Sequence, residues 1–203
     1  MARLVGPEGA VIAFEPQRVV YQNLCANISL DALTNVHAVN SAVGSAVGSA
    51  TIPDIDYAAH GNFGGVMLTD DGDNGDGKNG ERLQIATINS LPMEDCHLIK
   101  INVEGMELDM LLGAAKTIAQ HRPALYIAND RQDKSPELIA NLLAADYRLF
   151  WHRPRLYNPD NFFANEENAF DELISQNMFC LPRERECEVS GLVEITSPAA
   201  GQG

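Results

Sequence analysis

Short apolar runs separated by amphipathic segments constrain this chain more than any other feature. Residues 10–14, 36–39, 97–103, 124–128, 147–152 and 177–181 are each too short for a stable helix but long enough for a strand. Ala10-Val11-Ile12-Ala13-Phe14 carries no polar side chain on either face, as in a strand covered on both sides. Glu15-Pro16 then opens a helix, proline suiting the first turn, and Val20, Leu24 and Ile28 form its apolar stripe until it fades near Leu30-Asp31. A second helix is predicted from Gly105 to about Gln120, with Met106, Met110, Ala114 and Ile118 on one face. Ser135-Pro136-Glu137 predicts a third, with Ser135 as cap, proline in the first turn and an acid near the positive end of the dipole. Strands alternating with helices imply an α/β fold with a mostly parallel sheet covered on both faces. In such sheets ligands bind at the carboxyl ends of the strands.

Two stretches depart from this rhythm. Residues 41–50 repeat a four-residue unit, too short for a solenoid, and read as a loop into the next strand. Residues 51–88 read as a β-hairpin excursion, built on Asn62-Phe63-Gly64-Gly65-Val66-Met67-Leu68 and Arg82-Leu83-Gln84-Ile85. Its tip is the acidic, glycine-rich run between Asp70 and Gly80, whose spacing fits no calcium-binding loop. The expected organisation is one domain over residues 1–182, followed by a polar tail, 183–203, that frays.

The charge balance narrows the partners. Lys and Arg number 14 against 28 Asp and Glu, a formal net charge of −14. A nucleic-acid binder needs a basic face and an anionic membrane surface attracts basic segments, so neither is expected. No apolar run approaches the ~18 residues that would span a bilayer. The N-terminal residues hold no apolar core of a secretory leader. Cys25, Cys96, Cys180 and Cys187 are scattered without a CxxC pair, which predicts neither a metal site nor a disulfide framework and fits a reducing cytoplasm. A small-molecule partner is the simplest expectation.

Candidate chemistry follows from strand ends. Glu15 closes the first apolar run directly before a helix, where an acid accepts ribose hydroxyls in nucleotide-binding folds or simply favours the helix dipole. Strand alternation puts Lys100, Asn102 and Glu104 on one face and Ile99, Ile101 and Val103 on the other. Three polar groups on a central strand are costly unless paired or lining a site. Asn129-Asp130-Arg131 ends the next strand, either orienting a substrate or forming a polar turn. From Trp151 to Phe163 the chain is rich in aromatics, amides and prolines, suited to stacking on a ring-shaped substrate or to packing as a loop. His152 within it has the side-chain chemistry of a general base.

Taken in order, several of these segments resemble the FkbM family of S-adenosylmethionine-dependent methyltransferases. The matching stretches are Val5-Gly6-Pro7-Glu8-Gly9 through Ala13-Phe14-Glu15-Pro16-Gln17, Asn62-Phe63-Gly64-Gly65, Leu98 through Glu107, Arg122-Pro123-Ala124-Leu125-Tyr126, Asn129-Asp130-Arg131 and Leu156-Tyr157-Asn158-Pro159. The resemblance implies a Rossmann-like class I methyltransferase fold. It also implies methyl transfer from S-adenosylmethionine to a hydroxyl of a sugar, glycan or natural product. Glu15 would then hold the cofactor ribose, Asn40, Ser41 and Ala42 would lie by the adenine, and Asn102 and Glu104 would sit beside the reactive end. Glu104 is the expected base, with Asp130 and His152 behind it. The family's usual aspartate in the Ile-Asp-Val-Glu-Gly motif is Asn102 here, and a glutamate often found before Asn-Asp is Ala128. Family members also begin with a strand and glycine-bearing turn ahead of the helix ending near Val5-Gly6. Without that strand two edges are expected to lack a partner. They would close on each other, take a strand from another chain (a homo-oligomer among the cases), or mark a fragment. The alternative reading is a degenerate, non-catalytic methyltransferase-like domain that acts in binding.

Overall fold

The computed structural model describes residues 1–59, 63–66, 69–70 and 80–199. The chain divides into two compact units, Met1–Leu91 with Asp109–Ala115, and Pro92–Leu108 with Lys116–Gly203.

The first unit opens with α1 (Ala2–Val5), β1 (Val11–Phe14), α2 (Arg18–Leu30) and β2 (Val36–Val39). β1 and β2 pair in parallel, Val11 opposite Val36 and Phe14 opposite Val39. The Asn35 amide anchors the entry to β1 by reaching the carbonyls of Ala2, Gly6 and Gly9 at 3.0–3.1 Å. α2 starts at Arg18, later than the proline predicts, because the Glu15 carboxylate accepts the Gln17 N–H at 2.8 Å and holds the lead-in extended. Val20, Leu24 and Ile28 form the expected stripe, half-buried.

The hairpin excursion is a second sheet of β3 (Ala42–Val43), β4 (Gly48–Pro53), β5 (Thr69–Asp70) and β6 (Gly80–Ala86), in the order β3-β6-β4-β5. β4 runs antiparallel to β5 and β6, while β3 runs parallel to β6. The four-residue repeat is therefore more than a loop. It supplies β3 and the start of β4, because its alanines fit a small core in which Ala42 and Ala50 pack with Ile52 and Leu83. The strand expected from Asn62 is instead a short 3-10 turn at Phe63–Gly65, where two glycines disfavour a pleated strand. Residues 60–62, 67–68 and the acidic tip 71–79 lie outside the described residues.

The long helix predicted after Gly105 is two, α3 (Glu107–Gly113) and α4 (Ala115–His121). The break falls where Gly113 lies against Gly44, whose carbonyl oxygen would collide with any Cβ at that position. A residue that must be glycine for close approach is also a weak point in a helix.

The second unit holds a five-stranded sheet, β11-β9-β10-β8-β7, built from β7 (Leu98–Ile101), β8 (Ala124–Ala128), β9 (Tyr147–His152), β10 (Asn177–Pro182) and β11 (Val193–Ile195). β7 and β8 are parallel, and β10 lies antiparallel between β8 and β9. The sheet is thus mixed where the strand–helix rhythm predicts a mostly parallel one. The reason is that no helix crosses from β9 to β10, so the chain returns beside itself in the opposite sense. β7, β8 and β9 still share one direction, and their carboxyl ends form one rim.

One face of this sheet is a continuous apolar layer. Register aligns Ile99, Leu125, Cys180, Leu149 and Ile195 in one row and Ile101, Ile127, Met178 and Trp151 in the next, all buried. α5 (Ser135–Ala144) packs on β9 and buries Leu138, Ile139 and Leu142. Its N-cap is Lys134, one residue before the serine that the sequence favours. Ser135 is diverted because its hydroxyl accepts the Asn129 amide at 2.9 Å.

From Arg183 to residue 199 the described chain is held by specific bonds, where the sequence predicts fraying. Arg122 binds Glu184 at 2.7 and 2.9 Å while reaching the carbonyls of Ala145 and Asp146, and its guanidinium lies over the Tyr147 ring. Arg183 adds a bond to the Asp146 carboxylate at 2.8 Å. Beyond this knot β11 pairs with β9, and Ile195 is 1% exposed. The signal was weak because β11 is three residues long and its partner lies far away in sequence.

Among the described residues β1 pairs with β2 alone and β7 with β8 alone.

Ile195→Ala is expected to destabilise the second unit by about 2–4 kcal/mol, read as a lower urea midpoint. A frayed tail would leave the midpoint unchanged.

Candidate functional site

The carboxyl-end rim of β7, β8 and β9 carries the three residues expected to supply acid–base chemistry, with β10 standing between His152 and the other two. Glu104 follows β7, Asp130 follows β8, and His152 ends β9. The alternation that would have aimed Lys100, Asn102 and Glu104 together stops early, because β7 ends at Ile101. Lys100 and Asn102 are exposed. Glu104 is set instead by a tight turn.

That turn is unusual for a glutamate. Glu104 and Gly105 both have positive φ, +48° and +92°, and the Met106 N–H closes the turn on the Val103 carbonyl at 3.2 Å. Two consecutive left-handed residues match a type I′ turn, where the first is normally Asn, Asp or Gly. A side chain there costs about 1–2 kcal/mol, so the surroundings must hold it. Two groups do so. The buried Glu107 carboxylate accepts the Gly105 N–H at 3.0 Å, and the Lys134 ammonium donates to the Gly105 carbonyl at 2.6 Å. Lys134 was not visible as a site residue, because nothing in a Lys before Ser-Pro signals a bond across the rim.

Electrostatics follow from this geometry. Burial pushes the Glu104 carboxyl above its ordinary range, the Asp130 charge pushes it further, and Arg131 opposes both. The neighbouring Asn129 is structural. It is 5% exposed, and its side chain bonds Ser135 and the Met178 sulfur. His152 is engaged separately: its Nδ1 lies 2.7 Å from the Tyr126 hydroxyl. Nearby, Trp151 is buried, whereas Phe162 and Phe163 face solvent and stack on each other.

In the first unit Glu15 and Asn40 close the parallel strands β1 and β2. The Asn40 amide donates to the carbonyls of Glu15 and Pro16 at 2.8 and 3.0 Å, locking the two strand ends together. Burial raises the Glu15 carboxyl, and the Gln17 N–H partly offsets this. Ser41 and Ala42 are committed to structure: the Ser41 hydroxyl donates to the carbonyls of Ala42 and Gln84, and the Ala42 methyl sits in the small core. Sequence reasoning missed Gln17. Its buried amide donates to the Phe63 carbonyl at 2.5 Å and accepts the Tyr57 hydroxyl at 3.1 Å. Beside it a cleft of about 180 Å³ is lined by Arg18, Asp54, Tyr57 and Glu81.

Two stability measurements test the rim. Gly105→Ala is expected to lose about 1–2 kcal/mol, since a Cβ is strained at this φ, while it would meet the Lys134 ammonium only at ordinary contact distance. For Glu104 the raised carboxyl binds its proton more tightly folded than unfolded, so ionisation removes stability as pH rises through the carboxylate range. Glu104→Gln is therefore expected to melt higher than the wild type at about pH 7, with the advantage gone by about pH 3.

Residues 1–149 match the family described as the methyltransferase FkbM domain. A solved structure of methyltransferase FkbM from Methylobacillus flagellatus KT aligns with a TM-score of 0.53 at 16% identity, over 84% of this chain and 36% of that one. At that identity the likeness is one of fold, and the chain spans little more than a third of the length of the solved protein. No protein of curated function matches. No helix among the described residues is long and apolar enough to cross a membrane. The family match covers well over half of the sequence, and the chain belongs to the FkbM methyltransferase domain family.

Proposed function

We propose that this domain binds S-adenosylmethionine and takes part in O-methylation of a hydroxylated small molecule, a sugar, glycan or natural product. Family membership supports methyl transfer, and the observation that carries the reading is the raised Glu104 carboxyl on its strained turn. A strained side chain at a strand's carboxyl end points to function.

The residues fit the cofactor in part. One oxygen of Glu15 takes the Gln17 N–H, and the other would accept a ribose hydroxyl. Ser41 and Ala42 would contribute only backbone, since their side chains are committed elsewhere. Asn102 is exposed and uncharged, offering hydrogen bonds without the charge that an aspartate would bring to a cationic sulfonium. Bound S-adenosylmethionine would supply an electrophilic methyl group. Glu104 would accept the proton released as the acceptor oxygen forms its new bond, and a carboxylate raised toward neutrality is the better base. Burial first, and the Asp130 charge after it, keep the Glu104 proton affinity high. His152 would stand as a second acceptor of protons, oriented by Tyr126. The binding-only alternative rests on Asn102, on Ala128 and on the commitment of Ser41 and Ala42.

Calorimetric titration with S-adenosylhomocysteine tests the reading. Micromolar binding weakened at least ~10-fold by Glu15→Ala is expected, in keeping with a lost charge-assisted hydrogen bond. Absence of heat from folded protein would overturn it for this chain. In a methyl-transfer assay with an accepted substrate, Glu104→Gln is expected to lower the rate by ~10²–10⁴ at unchanged S-adenosylhomocysteine affinity.

A further inference from the structure

The connection from β9 to β10, residues 153–176, leaves from the same rim. Its stem is a narrow ladder: Arg155 pairs with Ile174, Leu156 N–H reaches the Leu173 carbonyl and Ser175 N–H the Pro154 carbonyl, both at 2.9 Å. Arg155 and Glu172 tie its two sides at 2.8 Å. At its tip the Ala164 N–H closes a turn on the Asn161 carbonyl at 3.0 Å, which puts Phe162 and Phe163 at the two corner positions. Those positions normally hold Gly, Pro, Asn, Asp or Ser, because corners face water. Here Phe162 is 95% and Phe163 86% exposed.

Side-chain amides hold the corner in place. The Asn161 amide both accepts the Asn165 N–H at 3.0 Å and donates to the Asn165 carbonyl at 2.8 Å, bridging the turn. Tyr157 donates to the same carbonyl, and Asn158 and Asn168 cap the flanking turns. The rings are therefore presented on a fixed platform and meet edge to face at 5.2 Å. Two ordered aromatics held out in water have the character of interface anchors. The amides are engaged with the loop's own backbone, so the tip reads apolar shape more than hydroxyl patterns.

Charge selects the occupant. From Leu156 to Ile174 there are five acids (Asp160, Glu166, Glu167, Asp171 and Glu172) and no Lys, Arg or His. An anionic bilayer would be repelled, and two copies meeting tip to tip would bring like charges together. We infer that the Phe162–Phe163 turn is a docking anchor for a protein partner that offers an apolar notch rimmed by Lys and Arg. The rings fill the notch and the acids around them steer the approach.

The test uses a fluorescent amphipathic peptide of Leu and Lys, whose helix presents an apolar face edged by ammonium groups, titrated with the whole chain and read by anisotropy. Binding is expected to weaken at least ~10-fold in Phe162→Ser/Phe163→Ser, with the melting temperature unchanged because both side chains are exposed. Glu166→Gln/Glu167→Gln is expected to flatten the salt dependence while keeping the rings' contribution. Equal affinity of the Phe double variant and the wild type would overturn the proposal, leaving only general charge attraction. It would equally be overturned if the double variant abolished binding to phosphatidylcholine vesicles, or a wild-type dimer seen in sedimentation, instead of peptide binding. None of these readouts depends on cofactor binding or methyl transfer.

Discussion

The position of β10 decides the architecture of the second unit. It is antiparallel to both neighbours, its apolar side chains lie in the middle of the buried layer, and it keeps β8 and β9 from pairing directly. Two consequences follow from that one insertion. The carboxyl ends of β8 and β9 are held about 10 Å apart, two inter-strand spacings, so Asp130 and His152 stand on one rim as separate centres. And the chain must leave that rim and return to it to enter β10, which generates the long connection carrying Phe162 and Phe163.

Within that frame the rim concentrates groups that folding alone would avoid. A glutamate in left-handed backbone, a buried carboxylate under a backbone N–H and a lysine spent on a carbonyl are each costly or unproductive in isolation. Together they satisfy one another. The Gly105 peptide is gripped from both sides, its N–H by Glu107 and its carbonyl by Lys134. Glu104 is left as the member of the group free to meet a ligand. The first unit uses the opposite economy, placing Glu15 at a strand end where its own helix entry already requires an acceptor.

The sequence made the long features readable and hid the short or distant ones. β1, β2, β8, β9, β10 and the start of α5 were legible because apolar runs, stripes and the Ser-Pro-Glu signal are local patterns. β3 and β11 were not, since two or three residues carry no period and their pairing depends on strands tens of residues away. The split of α3 from α4 was hidden in a glycine whose partner, Gly44, is remote. For the candidate site, the strand-end positions of Glu15, Glu104, Asp130 and His152 were legible. Their surroundings were not, because Lys134, Glu107, Gln17 and Tyr126 act through tertiary bonds that no motif encodes. Ser41 and Ala42 show what a strand-end position leaves out: it says where a residue is, not what its side chain is already doing.

The amide-bridged turn around Phe162 and Phe163 takes its shape from bonds within a few residues, while the unit beneath takes its shape from burial. Shape and solubility are then governed by different parts of the sequence. Replacing the two corner residues changes what the surface displays without touching a core contact, and replacing core residues leaves the corner's local bonds intact. The displayed pair can therefore be exchanged without disturbing the buried layer of the sheet.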